Sequence, residues 1–220
     1  MKNILAILVF STILSNSAYA MHATVALGPK IGTQGIGAEV RAPLADNFFG
    51  RLGLNYFTYK HNLNSGKINL RGKLTLLTVP IMLDWHPFAE SGFRLSAGVA
   101  YNGNKVTAKA TPSRPITIDG VIYSVSEIGA VSSKLTLGNA ISGIATLGYD
   151  SSFFNNSPWS FNCEAGIMYA GNPRVSVTST GNGGASAKAA VERDVKKGVN
   201  DAKKYLRLFP VLSLGLKYAL

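Results

Sequence analysis

Ten ionisable residues share one recurring setting, the small-residue side of segments whose other side is bulky and apolar: Glu39, Arg41, Arg51, Arg71, Lys73, Asp84, Arg94, Asp150, Glu164 and Lys217. Six are basic and four acidic. Held together in a narrow, partly dry interior, opposite charges pair, because an unpaired ion out of water is costly. Two kinds of chemistry fit this set. One is a closed network of ion pairs and hydrogen bonds. The other is a narrow solute pathway with a weak anion preference, lined by Arg51, Arg71, Lys73 and Arg94. Other constellations are poorer. The spacing Gly32-x-x-Gly35-x-Gly37 is not the order of a phosphate-binding loop, and no helical pattern follows it. Cys163 is the single cysteine, which rules out an internal disulfide and a zinc site built on paired cysteines. No catalytic residue, metal ligand or cofactor contact is expected.

The elements that must position these charges alternate with period two, the pattern of a strand with two unlike faces. In residues 210–220, Pro210, Leu212, Leu214, Leu216, Tyr218 and Leu220 lie on one face, against Val211, Ser213, Gly215, Lys217 and Ala219. Residues 51–60, 93–104, 141–150 and 159–170 repeat the pattern. A half-buried strand of a soluble sheet carries a dense charged face toward water, whereas here the polar face is small and sparsely charged. Such segments make a lipid-facing band if the sheet closes on itself, which leaves no unpaired edge in hydrocarbon.

Two segments change phase. In residues 68–85 the apolar positions are even up to Leu76 and odd from Leu77, so a β-bulge near Leu76-Leu77 is expected to keep one continuous outer face. That places Arg71 and Lys73 inside. The other change falls within Gly32-Thr33-Gln34-Gly35, where the choice is between a hairpin and a bulge in one long strand. A hairpin brings the total to eight, and even strand numbers are the rule for bacterial barrels.

The start of the chain supplies a route to a membrane. Lys2, the short apolar stretch Ile4 to Leu14 and Ala18-Tyr19-Ala20 read as a secretory signal peptide over residues 1–20, with the barrel domain over 21–220. The later chain has no apolar run of transmembrane-helix length. The net charge of +11 is not expected to serve nucleic acid in an exported protein; anionic lipid headgroups or lipopolysaccharide phosphates are the expected counter-charge.

Short links at 43–47, 87–92 and 151–158 alternate with longer ones at 62–66, 108–137 and 171–209, which orients the short links and both termini toward the periplasm. Asp119-Gly120 signals a hairpin within residues 116–124 that could extend the sheet beyond the membrane. Residues 185–208 are rich in Ala, Lys, Glu and Asp and lack proline, so a helix is expected in the last long loop. Aromatic residues near strand ends, including Tyr56, Tyr59, Trp85, Tyr101, Trp159 and Tyr169, suit interfacial girdles.

The signal sequence, alternating strands, short turns such as residues 86–92 and the terminal strand with Tyr218 together resemble the small, eight-stranded outer-membrane β-barrel proteins of Gram-negative bacteria. The resemblance implies an all-β fold, an antiparallel up-and-down transmembrane β-barrel. It also implies residence in the outer membrane, with outer-membrane lipids, lipopolysaccharide and the outer-membrane assembly machinery as partners and a possible external ligand held by the loops. Members of that class typically end in an aromatic residue, whereas this chain ends in Leu220. Enzymes that modify lipid A also occur on small barrels. They need a nucleophile beside a histidine and a carboxylate at the outer rim. Of His22, His61 and His86, only His61 falls on that side, and no serine adjoins it before Ser65. The expected role is therefore structural or surface-interacting, with the narrow channel as the alternative and lipid chemistry third.

Overall fold

The computed structural model describes residues 25–65, 68–88, 91–118, 120–153, 157–182, 189, 192–193 and 206–220. The signal-peptide expectation at 1–20 lies outside them, as does most of the helix expected at 185–208, of which Ala189, Glu192, Arg193 and Leu206 are described as helical.

Eight antiparallel strands close into a ring in chain order: β1 (Ala26–Gly32), β2 (Gly35–Ala45), β3 (Phe48–Ser65), β4 (Ile68–Trp85), β5 (Phe93–Asn102), β10 (Ile141–Asp150), β11 (Trp159–Tyr169) and β13 (Leu208–Ala219). The pairing of β1 with β13 completes the closure. Gly35, at φ +111°, ends the two-residue turn between β1 and β2, so the phase change there is a hairpin.

Alternation decides what each face meets. Outward residues such as Leu52, Leu54, Ile81, Val99, Leu214 and Leu216 are about half exposed, while their strand neighbours point inward and are mostly buried. An exposed apolar belt around a closed sheet is a lipid-facing surface. Aromatic pairs border it at the end that holds both described chain termini: Phe48 stacks on Trp85 at 6.4 Å, and Trp159 meets Tyr218 edge-on at 5.0 Å. Tyr56, Tyr101 and Tyr169 border it at the other end. From Leu77 to Trp85 the belt covers eight residue steps, roughly 20 Å of height for a tilted strand.

β3 and β4 continue past that far border. Three further strands widen this extension: β6 (Lys105–Pro112) pairs with the upper half of β4, β9 (Val131–Thr136) with β6, and β12 (Arg174–Ser179) with β9. These strands occupy stretches that the sequence reading treats as loops. The hairpin expected at 116–124 forms as β7 (Ile116–Ile118) and β8 (Val121–Tyr123), but as a separate two-stranded sheet. It leads to one helical turn, α1 (Val125–Ile128), capped by Ser124 and Glu127 in a reciprocal capping box.

The bulge expected at Leu76-Leu77 is absent. The β3–β4 register is constant from Phe48↔Trp85 to Ser65↔Ile68, and the ladder lapses only around Gly53 and Leu54, opposite Pro80, which has no N–H to donate. What changes at Leu77 is the surroundings. Below it the outward face meets lipid and is apolar. Above it the outward face is polar, and the apolar side chains Leu70, Leu74 and Leu76 continue the inward face. Tyr56 and Phe57, the cross-strand partners of Leu77 and Leu76, make the same switch on β3.

Candidate functional site

Strand alternation aims a charged side chain inward from each of the eight wall strands. β1 supplies Lys30, β2 Glu39 and Arg41, β3 Arg51, β4 Asp84, β5 Arg94, β10 Asp150, β11 Glu164 and β13 Lys217, and every one of them is buried. Among the described residues that is five cations and four carboxylates.

They form two joined groups. In the central group Arg51 bridges three acids: its Nη1 lies 2.7 Å from Glu164 Oε2 and 3.2 Å from Glu39 Oε2, and its Nε lies 3.0 Å from Asp84 Oδ2. Lys30 Nζ joins the same two glutamates, at 3.3 Å from Glu39 and 3.1 Å from Glu164. Nearer the terminal end, Asp150 Oδ2 lies 3.0 Å from Arg41 Nη1, 2.9 Å from Lys217 Nζ and 3.5 Å from Arg94 Nη1. Lys217 and Arg94 also reach the central group, at 3.2 Å from Glu39 and 3.4 Å from Glu164. Asn162 donates to Glu39 at 2.8 Å.

The terminal end is closed by side chains around Arg41. Its guanidinium sits 3.7 Å above the Phe49 ring, and its Nη2 donates to His86 Nε2 at 2.8 Å. An arginine N–H can only donate, so Nε2 is the unprotonated ring nitrogen. Burial, with the Arg41 charge second, pushes the His86 pKa down to about 4, which agrees with a neutral ring. Toward the extended end, Met82, Ala100, Ile144, Met168 and Val211 form an apolar cap against which Phe209 packs. Glycines make room for the charged layer. A side chain at Gly148 would stand 2.6 Å from Arg94 Nε, and one at Gly215 would stand 2.4 Å from Asn162 Oδ1.

Eight of the ten residues singled out by sequence, Glu39, Arg41, Arg51, Asp84, Arg94, Asp150, Glu164 and Lys217, therefore meet in one network. Arg71 and Lys73 do not. Without a bulge they fall on the outward face of the extended half of β4 and are exposed, which corrects the expectation that they line the lumen. Sequence reasoning missed Lys30, although its position opposite Leu27 and Ile31 carries the signal. It also left His86 beside a turn instead of in the network. His61 lies on the extended part of β3, exposed and stacked on Tyr59 at 6.2 Å.

No protein-family model matches the sequence, and no curated protein matches it. Solved structures do resemble the fold. CarO of Acinetobacter baumannii, an outer-membrane β-barrel protein, aligns over 92% of this chain and 100% of its own at 19% identity and a TM-score of 0.58. CarO2 of the same organism aligns over 90% and 98% at 19% identity and a TM-score of 0.56. A major outer membrane protein from Thermus thermophilus aligns over 90% and 98% at 16% identity and a TM-score of 0.42. The chain shares the fold of outer-membrane β-barrels.

Proposed function

We propose that the protein is an integral outer-membrane barrel with a non-conducting lumen, which anchors the extended sheet at the cell surface and acts by contact instead of turnover. One observation carries the closed lumen. A water-filled pathway leaves its lining accessible, yet Asp84 is 0%, Arg94 1% and Lys217 1% exposed. The ions pair with one another, and the apolar cap and the Arg41–Phe49–His86 group fill the space at either end.

In this reading the terminal end faces the periplasm and the extended sheet faces outward, with outer-membrane lipids and lipopolysaccharide around the barrel and the assembly machinery as the partner that inserts it. The fold shared with outer-membrane proteins supports the location, and the short turn at Asp46-Asn47 supports the orientation.

Planar-bilayer recording of the purified barrel tests the closed lumen: no reproducible single-channel steps are expected. Steps whose amplitude changes on Gly98→Leu or Gly215→Leu substitution would replace this reading with a narrow channel. Orientation is read separately, by labelling Ile122→Cys on intact cells with a membrane-impermeant thiol reagent.

A further inference from the structure

The five strands beyond the lipid belt place all their lysines and arginines on one face. Lys60 and Lys73 are direct cross-strand partners, as are Arg71 and Lys109, and Lys105 and Lys134 lie diagonally on the same face of β6 and β9, opposite Thr136 and Thr107. Residues 57–65, 68–76, 105–112, 131–136 and 174–179 contain no Asp or Glu. Like charges set directly opposite each other destabilise a sheet unless something anionic lies over them. None of Lys60, Arg71, Lys73, Lys105, Lys109 and Lys134 forms an ion pair among the described residues. A polar hollow of about 420 Å³ opens on this face, lined by Arg71, Lys109, Asn64, Asn69 and Thr111, each of which carries a hydrogen-bond donor.

We propose that this basic face, centred on the hollow between Arg71 and Lys109, binds the phosphate groups of the lipopolysaccharide surrounding the barrel. The proposal rests on the outward orientation of the extended sheet given above. Continuity identifies the ligand. The same outward face of β4 is lipid-facing from Leu77 downward, so its upper half meets the headgroups of the lipids that its lower half touches. Height narrows the choice. Counted from Leu77, the rows of Lys105, of Lys60 with Lys73, and of Arg71 with Lys109 stand two, four and six residue steps up, or roughly 5, 10 and 15 Å along the membrane normal for strands tilted about 40°. A phospholipid headgroup layer is only about 5–7 Å deep. A glycolipid with phosphates at its base and on its core sugars supplies anions at all three levels.

The test uses the purified full barrel, with folding checked by heat-modifiable migration. Native mass spectrometry counts rough lipopolysaccharide retained after detergent exchange, and titration gives its affinity. Wild type is expected to retain it, and Arg71→Ser/Lys109→Ser to bind about tenfold or more weakly, since hydrogen bonds from charged donors are lost. Wild type alone provides a second arm: lipopolysaccharide stripped of its core phosphates should bind as weakly as the intact form binds the variant. Equal retention by wild type and variant, or of both lipopolysaccharide forms, overturns the proposal. Displacement by millimolar inorganic phosphate, or equal binding of phosphatidylglycerol, overturns it too, the first in favour of a free-phosphate site and the second of a general anionic-lipid surface. If thiol labelling places the extended sheet in the periplasm, the orientation fails independently of these binding results.

Discussion

Glu164→Gln keeps the shape of the side chain and removes one charge from the centre of the lumen. Glu164 Oε1 accepts from Lys30 Nζ and Ser213 Oγ, both at 3.1 Å. Its Oε2 accepts from Arg51 Nη1 at 2.7 Å and, at 3.4 Å each, from Arg94 Nη2 and Thr146 Oγ1. The amide turns one of these acceptors into a donor facing cations, and it leaves five buried cations against three carboxylates among the described residues. Removing one partner of a buried ion pair costs about 3–5 kcal/mol. With a urea dependence of about 2 kcal/mol per molar, the unfolding midpoint falls by roughly 2 M. The assay is reversible urea unfolding in lipid vesicles, followed by the fluorescence of Trp85 and Trp159, the two tryptophans of the chain. Arg71→Gln is the matched control: it is exposed and outside the network, so its cost should stay within about 0.5 kcal/mol. Adding Lys30→Met to Glu164→Gln removes a cation that has lost an anion, so the double variant should be more stable than the sum of the single effects predicts. A Glu164→Gln variant within about 1 kcal/mol of wild type, or an Arg71→Gln cost equal to it, would refute the claim that this network fills and holds the lumen.

Three further outcomes follow from the geometry. The His86 ring should titrate near pH 4 by NMR in micelles, instead of near its ordinary 6.5. Because its folded pKa is lowered, the unfolded chain binds the proton more readily, so His86 favours the folded state above about pH 6.5, and that contribution fades as pH falls toward 4. Leu52→Arg, on the outward face at the middle of the belt opposite Ile81, should cost about 2–4 kcal/mol in vesicles, whereas Asn62→Arg, on the same face above the switch at Tyr56, should cost no more than about 1 kcal/mol. Met168→Ala, at a wholly buried position in the apolar cap, should cost about 2–5 kcal/mol in the same unfolding assay.

The eight wall strands were legible because lipid demands bulky apolar residues at every second position, and that period survives a single reading of the sequence. β6, β9 and β12 were not, because water and headgroups make no such demand; strands such as KVTAKATP and VSSKLT are short, rich in Lys, Ser and Thr, and bulky at few positions. Which charges meet was also illegible, since Arg51 and Glu164 are 113 residues apart and their meeting depends on how the sheet closes. The β4 segment is the most instructive case. Its phase change at Leu76-Leu77 is plain in the sequence, but a bulge keeps the apolar side outward only if the surroundings never change. The constant register of β3 and β4 removes that premise. The backbone runs straight on while its surroundings change, so the apolar residues turn toward the axis and the cations turn outward. A one-residue shift in apolar phase on two paired strands, at Tyr56-Phe57 and Leu76-Leu77, therefore marks the height at which the hydrocarbon ends. The same step moves Arg71 and Lys73 from the inward face to the exposed outward face of the extended sheet.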